Sequence, residues 1–353
     1  MSNQPYDAVF SEPMVPEEGS WSDIKDKTML AEEVLAMIET AQTIAICGHV
    51  NPDGDSLGSA LALRDLIRAM GKQADVLLGQ ECPAPELYGF LPDYEFIHAH
   101  TYAKTPDLFI VVDASTTKRL GGTEKFIGLA ENTLVIDHHA HFEGFTEHYF
   151  GDISAPATAS LIWEIIRVSN IKPTLNMATY CYVGLMTDTG RFAFRNTDRT
   201  AFIDAREMVD VGVCPSEMNQ LVYENKSLAT MRLEALIIGR IRFSNENGVA
   251  YSYILHDDLD TLGLKRDDTE QIPTILRSIK GVEVAILFRE EGDEGVRVNL
   301  RSRSVFNVGA FACELGGGGH AGAAGLTLFM TLDEAIAHVL SHLTEAMSAT
   351  DGT

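Results

Sequence analysis

The stretch Thr43-Ile44-Ala45-Ile46-Cys47-Gly48-His49-Val50-Asn51-Pro52-Asp53-Gly54-Asp55-Ser56-Leu57-Gly58-Ser59 decides the fold. Its first five residues are β-branched, small or apolar, as in a short strand buried on both faces. A helical pattern follows over 57–70, so His49, Asp53 and Asp55 leave the carboxyl end of a strand just before a helix. Open α/β sheets build their sites at that end. Pro52 and Gly54 close the loop and turn several side chains inward, and Gly58 and Ser59 are expected to open the helix with free amides. On a purely structural reading, Asp53 is a turn residue and Asp55 a helix cap.

Working outward, the same alternation recurs. Ala74–Leu78, Leu108–Val112 and Thr133–Ile136 read as further strands, and 29–38, 157–169, 175–186 and 198–210 as helices. Apolar strands alternating with helices predict a parallel sheet with helices on both faces. The pattern changes after 212–231, which reads as a linker containing a helix. Strands at Val249–Leu255, Val282–Phe288 and Val296–Ser302, with helices near 268–279, 307–314 and 332–347, predict a smaller C-terminal α/β domain. The expected organisation is an acidic disordered tail over 1–27, a catalytic domain over 28–211, the linker, and a second domain over 232–348.

Composition narrows the function classes. With 353 residues, two cores are expected. The 45% apolar and 22% charged fractions are those of a folded globular enzyme rather than of a disordered chain. The net charge of −24 disfavours long nucleic acid, whose binding draws on a basic surface, and favours a short substrate held by a few local cations. No apolar run is long enough for a membrane helix, and the first thirty residues do not read as a secretory signal, so the expected location is cytoplasmic with no membrane partner. The five cysteines are scattered and odd in number, which argues against a disulfide framework or a zinc ribbon; reduced packing residues are expected, mostly buried.

Three more acids end apolar segments. Asp113 closes Phe109-Ile110-Val111-Val112, and Asp137-His138-His139 follows Leu134-Val135-Ile136. Asp188 follows Gly184-Leu185-Met186-Thr187. In extended backbone His138 and His139 point to opposite sides, so one can ligate a metal while the other faces substrate or a supporting group. Carboxylates gathered at sheet ends repel and raise one another's pKa unless cations hold them. Oxygen donors with imidazole suit Mn²⁺ or Mg²⁺ better than a thiolate-rich zinc set.

With these motifs in order, the chain resembles the DHH phosphoesterase family, named for the Asp-His-His that stands here at 137–139. Gly316-Gly317-Gly318-Gly319-His320-Ala321-Gly322-Ala323-Ala324-Gly325 resembles the signature of the family's associated C-terminal domain. The similarity spans roughly 30–348 and is closest to the nanoRNase/pAp-phosphatase branch. It implies two divalent cations, Mn²⁺ foremost with Mg²⁺ or Co²⁺ as alternatives. One would be held by His49, Asp53 and Asp113, the other by Asp55, Asp113, His138 and Asp188, with Asp113 bridging. His139 would contact the scissile phosphate, and Asp137 would orient the neighbouring histidine. Arg191 stands where a small residue is expected, and either binds substrate or caps its loop.

In the second domain, Gly317, Gly318 and Gly319 give a backbone that a ligand can approach closely and whose amides can form an anion nest. The resemblance implies that this loop, Arg301 and His320 hold a terminal phosphate or nucleotide. Arg303, expected on the same side of the strand as Arg301, is a further phosphate contact or solvated surface. Chemistry on one domain and end-recognition on the other would limit substrate length. The reading is hydrolysis of short oligoribonucleotides or linear dinucleotides to 5′-mononucleotides, and of 3′,5′-bisphosphorylated adenosine to AMP. Alternatives are a cyclic-dinucleotide phosphodiesterase, a pyrophosphatase or polyphosphatase, a single-strand DNA exonuclease, and an inactive nucleotide-binding regulator. A homodimer is allowed.

Overall fold

In a computed structural model, residues 28–350 are described apart from 80–83, 141, 245–247, 266–268, 270–271 and 304–305. The expected acidic tail at 1–27 and Cys82 lie outside the described residues. The four apolar runs, with two further short segments at 97–98 and 148–151, form six parallel strands: β1 (Thr43–Cys47), β2 (Gln73–Leu78), β3 (Ile97–His98), β4 (Leu108–Val112), β5 (Asn132–Asp137) and β6 (His148–Gly151). Their order in the sheet is β3-β2-β1-β4-β5-β6. Every residue of β4 is buried, because both faces of the sheet are covered.

Among the covering helices are α1 (Ala31–Thr40), α2 (Gly54–Ala69), α3 (Thr158–Val168), α4 (Leu175–Asp188) and α5 (Arg199–Val211). On one face α2 contacts β1, β2 and β4, and α3 contacts β5. On the other, Ala45, Cys47, Phe109, Val111 and Val135 pack with Tyr102, Leu120 and Phe126 from connecting chain and the short 3₁₀ segments Thr117–Arg119 and Thr123–Gly128. Strand order reverses between β1 and β4, since β1 is followed outward by β2 on one side and β4 on the other. That reversal opens a crevice at the carboxyl ends of the two strands.

Helix α2 begins three residues earlier than the sequence pattern suggests. Asp53 is its N-cap, accepting the N–H groups of Asp55 and Ser56 at 3.0 Å each. Gly58 and Ser59 therefore lie inside the helix and do not open it. Gly58 serves close packing instead: a Cβ there would stand 2.3 Å from the carbonyl oxygen of Tyr180 in α4. Gly184 is its counterpart on α4, where a Cβ would stand 2.9 Å from Asp55 Oδ1. The two glycines let α2 and α4 approach, and that approach brings the Asp55 and Asp188 ends of the helices toward one site.

The chain divides into two compact units at Met218, within α6 (Pro215–Tyr223). Residues 212–231 are thus largely helical, holding α6 and the first turn of α7 (Leu228–Gly239). The second unit has β7 (Arg242–Ser244), β8 (Val249–Ile254), α8 (His256–Leu262), α9 (Ile272–Arg277), β9 (Val284–Glu290) and β10 (Val296–Ser302). It continues through α10 (Val308–Glu314), β11 (Gly318–His320), β12 (Ala323–Leu328) and α11 (Leu332–Thr350). Its sheet runs β11-β12-β10-β9-β8-β7, antiparallel except where β8 meets β9. Val308, Phe311, Val339 and Leu343 cover one face; Leu233, Ile237, Leu259 and Leu276 cover the other.

Two expectations change here. The glycine-rich stretch is not a free loop: Gly318, Gly319 and His320 pair as a strand with Gly325, Ala324 and Ala323. Strand β10 ends at Ser302, so Arg303 does not share a strand face with Arg301. Of the cysteines described, Cys47 and Cys181 are buried but Cys214 and Cys313 are exposed, and all four are free thiols.

Candidate metal centre

Four segments deliver their acids and histidines to the crevice. His49 stands two residues past β1. Its Nδ1–H is held by the Val50 carbonyl at 2.8 Å, which turns Nε2 toward Asp113 Oδ2 at 3.4 Å and Asp53 Oδ2 at 3.8 Å. Asp113 follows β4 directly and has a left-handed φ of 57°, a conformation that costs energy for a residue other than glycine. Its N–H still donates to the Ile136 carbonyl at 3.0 Å, so sheet pairing supports the strained position.

His138 repeats the His49 arrangement. Its Nδ1 lies 3.2 Å from the Ala155 carbonyl, and its Nε2 faces Asp188 Oδ2 at 3.7 Å, Asp113 Oδ1 at 3.8 Å and Asp55 Oδ2 at 3.9 Å. A histidine whose Nδ1 is held by a backbone carbonyl presents its Nε2 lone pair as a ligand. His139 differs. Its Nδ1 lies 2.6 Å from Asp137 Oδ1, and its Nε2 lies 3.4 Å from Arg119 Nη1. The other oxygen of fully buried Asp137 has no hydrogen-bond partner among the described residues.

The acids are themselves held. Asp55 accepts the N–H groups of Thr158 and Ala159, at the start of α3, at 2.8 Å each. The Thr158 hydroxyl donates to Asp113 Oδ1 at 3.0 Å. Asp188, the last residue of α4, accepts from Asn196 Nδ2 at 2.9 Å. Thr158, Ala159, Asn196 and Arg119 are supports that the sequence reading missed. Thr158 and Ala159 stand 103 and 104 residues from Asp55, whereas Asn196 lies eight residues beyond Asp188 and Arg119 shortly after Asp113; none belongs to a motif, so only tertiary proximity reveals them.

The donor atoms form three groups, each within 4.8 Å: His49, Asp53 and Asp113; Asp55, His138 and Asp188; and Asp113, His138 and His139. The two oxygens of Asp113 face different histidines, His49 and His138. Separations of 3.4–3.9 Å are long for hydrogen bonds. They suit donors around a cation at about 2.1 Å, where neighbouring ligands stand about 3 Å apart and opposite ones about 4 Å.

The electrostatics ask for a cation. Burial, then repulsion from Asp113 and Asp188, pushes the Asp55 carboxyl well above its usual range. Burial likewise raises Asp188 to about 6. Burial opposes charge on His49, but the facing carboxylates of Asp113 and Asp53 outweigh it and raise the imidazole to about 10. His138 is raised to about 9 in the same way, burial being outweighed by Asp188, Asp55 and Asp113. Carboxylates that resist ionisation beside imidazoles that hold protons mark a site short of positive charge, and a divalent ion would relieve both. Cys47, at the end of β1, offers no thiolate: burial pushes its thiol up to about 12.

The remaining candidates lie elsewhere. Arg191 is exposed, three residues beyond α4, with a φ of 63° and its N–H on the Met186 carbonyl at 2.8 Å. Its backbone thereby closes the helix. Arg301 is half-buried on β10, on the same face as Arg297 and Asn299, with Nη1 on the Leu300 carbonyl at 3.0 Å. Arg303 is exposed and donates to the Arg277 carbonyl at 3.4 Å. A Cβ on Gly317 would stand 2.4 Å from the Gly325 carbonyl oxygen, and one on Gly319 would stand 2.5 Å from that of Ala323; one on Gly318 would meet nothing within 4 Å. His320 ends β11, and its side chain lies outside the described residues.

Comparison with known proteins agrees with this geometry. Residues 43–185 match the DHH family N-terminal domain and 246–349 match the DHHA1 domain. The chain is 30% identical over 338 residues to the bifunctional oligoribonuclease and PAP phosphatase NrnA of Thermus thermophilus, covering 94% of this chain and 97% of that one. It is 29% identical over 306 residues to the Bacillus subtilis protein of the same name, covering 86% and 94%. An exopolyphosphatase-related protein from Bacteroides fragilis shares the fold, with a TM-score of 0.83 at 23% identity over 89% of this chain and 95% of that one. No described helix is long and apolar enough to cross a membrane. The chain belongs to the DHH family of metal-dependent phosphoesterases, its DHH domain followed by a DHHA1 domain.

Proposed function

We propose that this chain hydrolyses short oligoribonucleotides or linear dinucleotides to 5′-mononucleotides, and 3′,5′-bisphosphorylated adenosine to AMP. The observation that carries the reading is the double donor set around Asp113, in a chain similar along nearly its whole length to an oligoribonuclease and PAP phosphatase. His49, Asp53 and Asp113 hold one divalent cation; Asp55, Asp113, His138 and Asp188 hold the other. Mn²⁺ is the first candidate, with Mg²⁺ and Co²⁺ as alternatives. Such a pair, when bound, activates water and stabilises the entering and leaving oxygens at phosphorus.

The chain's own residues do the rest. Asp137 fixes the His139 ring so that Nε2 is the atom offered to a phosphate oxygen. The amides of Thr158 and Ala159 fix Asp55, and Asn196 fixes Asp188, so the donor set is preorganised. In the DHHA1 domain, Arg301, His320 and the Gly317–Gly319 backbone take the substrate's far phosphate, with Arg303 and Arg191 as further contacts. The net charge of −24 favours a short substrate over a long polyanion. We assign catalysis to 28–211 and end-recognition to 232–348.

The test is a product time course with Mn²⁺ on RNAs of increasing length, bisphosphorylated adenosine, linear and cyclic dinucleotides, and pyrophosphate. Rapid conversion of the shortest RNAs and of bisphosphorylated adenosine to mononucleotides is expected. Turnover confined to pyrophosphate or to cyclic dinucleotides would overturn the reading.

A further inference from the structure

The acidic centre has a cation of its own beside it. Arg119 ends the 3₁₀ segment Thr117–Arg119, six residues after Asp113. Its carbonyl accepts the Val50 N–H at 2.7 Å, which ties it to the loop carrying His49 and Asp53, and the next residue, Leu120, is fully buried. The backbone under this side chain is therefore anchored on both sides. Its guanidinium reaches His139, with Nη1 3.4 Å from Nε2. His139 Nδ1 faces Asp137, so Nε2 is the ring atom that meets both Arg119 and an incoming phosphate. The remaining guanidinium N–H groups have no partner among the described residues. Nor does any Lys or Arg among those residues form an ion pair with Asp53, Asp55, Asp113, Asp137 or Asp188.

Charge makes this position matter. The five carboxylates exceed the charge of two divalent cations by one, so an incoming phosphate meets a centre that is still negative. A phosphomonoester dianion meets more repulsion than a diester monoanion. A planar guanidinium with free donors, held beside the histidine offered to that phosphate, matches two phosphate oxygens at once. We propose that Arg119 is a substrate-binding residue: it exchanges its contact with His139 for the phosphate under attack, and it favours dianionic monoesters over diesters. The proposal rests on the reading of this centre as the place of hydrolysis.

The experiment compares wild type, Arg119→Met and Arg119→Lys, each loaded with Mg²⁺ and checked for metal content and melting temperature. Calorimetric titration with inorganic phosphate reads the anion site without turnover. Arg119→Met should bind phosphate roughly ten- to a hundredfold more weakly, and Arg119→Lys should recover part of the loss, having the charge without the fork. In kcat/KM, Arg119→Met should lose about tenfold more on bisphosphorylated adenosine than on an aryl phosphodiester. Phosphate affinity that is equal in wild type and Arg119→Met, or absent from wild type, overturns the binding role. Equal losses on both esters overturn the discrimination. A wild type that binds phosphate through Arg119 but cleaves none of the esters leaves this anion site standing and sinks the hydrolytic reading instead. Turnover that depends on Asp113 but not on Arg119 does the reverse.

Discussion

The centre at the end of the parallel sheet and the glycine-rich strand pair of the second unit carry the two strongest motifs, and they differ in what packing accounts for. At the centre, burial works against the residues present. Asp55 and Asp188 are pushed toward protonation, and Asp113 sits at a strained φ. Caps and sheet pairing hold single side chains there, but none of them calls for so many acids in one buried crevice, so ligand binding is the physical reason for the arrangement. In the strand pair, packing explains part of the motif. Gly317 and Gly319 are required because any Cβ would collide with β12. Gly318, like Gly316 and Gly322, has open space. A motif that stability disfavours points to function residue by residue; a motif that packing half explains must be divided before it does.

The largest expected effect breaks the centre at its shared acid. Asp113→Ala removes the carboxylate facing both His49 and His138, and turnover with Mn²⁺ should fall by at least about a hundredfold. Circular dichroism should show the fold retained. More than about a tenth of the wild-type rate would remove Asp113 from the site.

The next comparison lies within the centre, between two adjacent rings. His138 Nε2 faces three carboxylates, whereas His139 is held by Asp137 and faces Arg119. His138→Ala should lower metal content, and excess Mn²⁺ should partly restore its activity. His139→Ala should keep its metal and lose about a hundredfold in kcat, near the 3 kcal/mol of one oxyanion donor. Metal analysis followed by Mn²⁺ titration decides; a His139→Ala protein rescued by Mn²⁺ would exchange the two roles.

How much of this was legible follows from the length of each signal. β1, β4 and β10 have the expected boundaries because five to seven apolar or alternating residues carry a clear period. β3, β6, β7 and β11 hold two to four residues, too few to show one. β12 begins inside the glycine motif. In the centre the motifs reveal the acids and histidines, since each ends an apolar segment. Thr158 and Ala159 reach Asp55 across 103 and 104 residues, and no local pattern encodes that contact. Helix α2 starts early because Asp53 both caps it and faces His49, a double role that spacing does not separate.

In the second unit, Arg301→Ala asks whether the strand pair and its neighbour serve substrate at all. Losing one charge-assisted phosphate contact costs about 1.5–3 kcal/mol, so kcat/KM on a dinucleotide should fall roughly ten- to a hundredfold. An aryl phosphodiester, which has no far phosphate, should be spared. Equal losses on both would place Arg301 in support of the fold, through its contact with the Leu300 carbonyl.

The smallest effect divides the glycines themselves. Gly319 has a φ of 142°, and a Cβ there would stand 2.5 Å from the Ala323 carbonyl oxygen, so Gly319→Ala should destabilise the protein by about 1 kcal/mol or more. Gly318 has neither constraint, and a methyl group there should change stability by less than about 0.5 kcal/mol. Thermal melts of the two variants test this contrast without substrate. Kinetics then assign the open position. If Gly318 is glycine so that a ligand can lie against its backbone, Gly318→Ala should weaken dinucleotide hydrolysis several-fold at unchanged melting temperature and leave the aryl diester untouched. A Gly318→Ala protein equal to wild type on both substrates would reduce the motif to packing, and the burden of end-recognition would pass to Arg301 and His320.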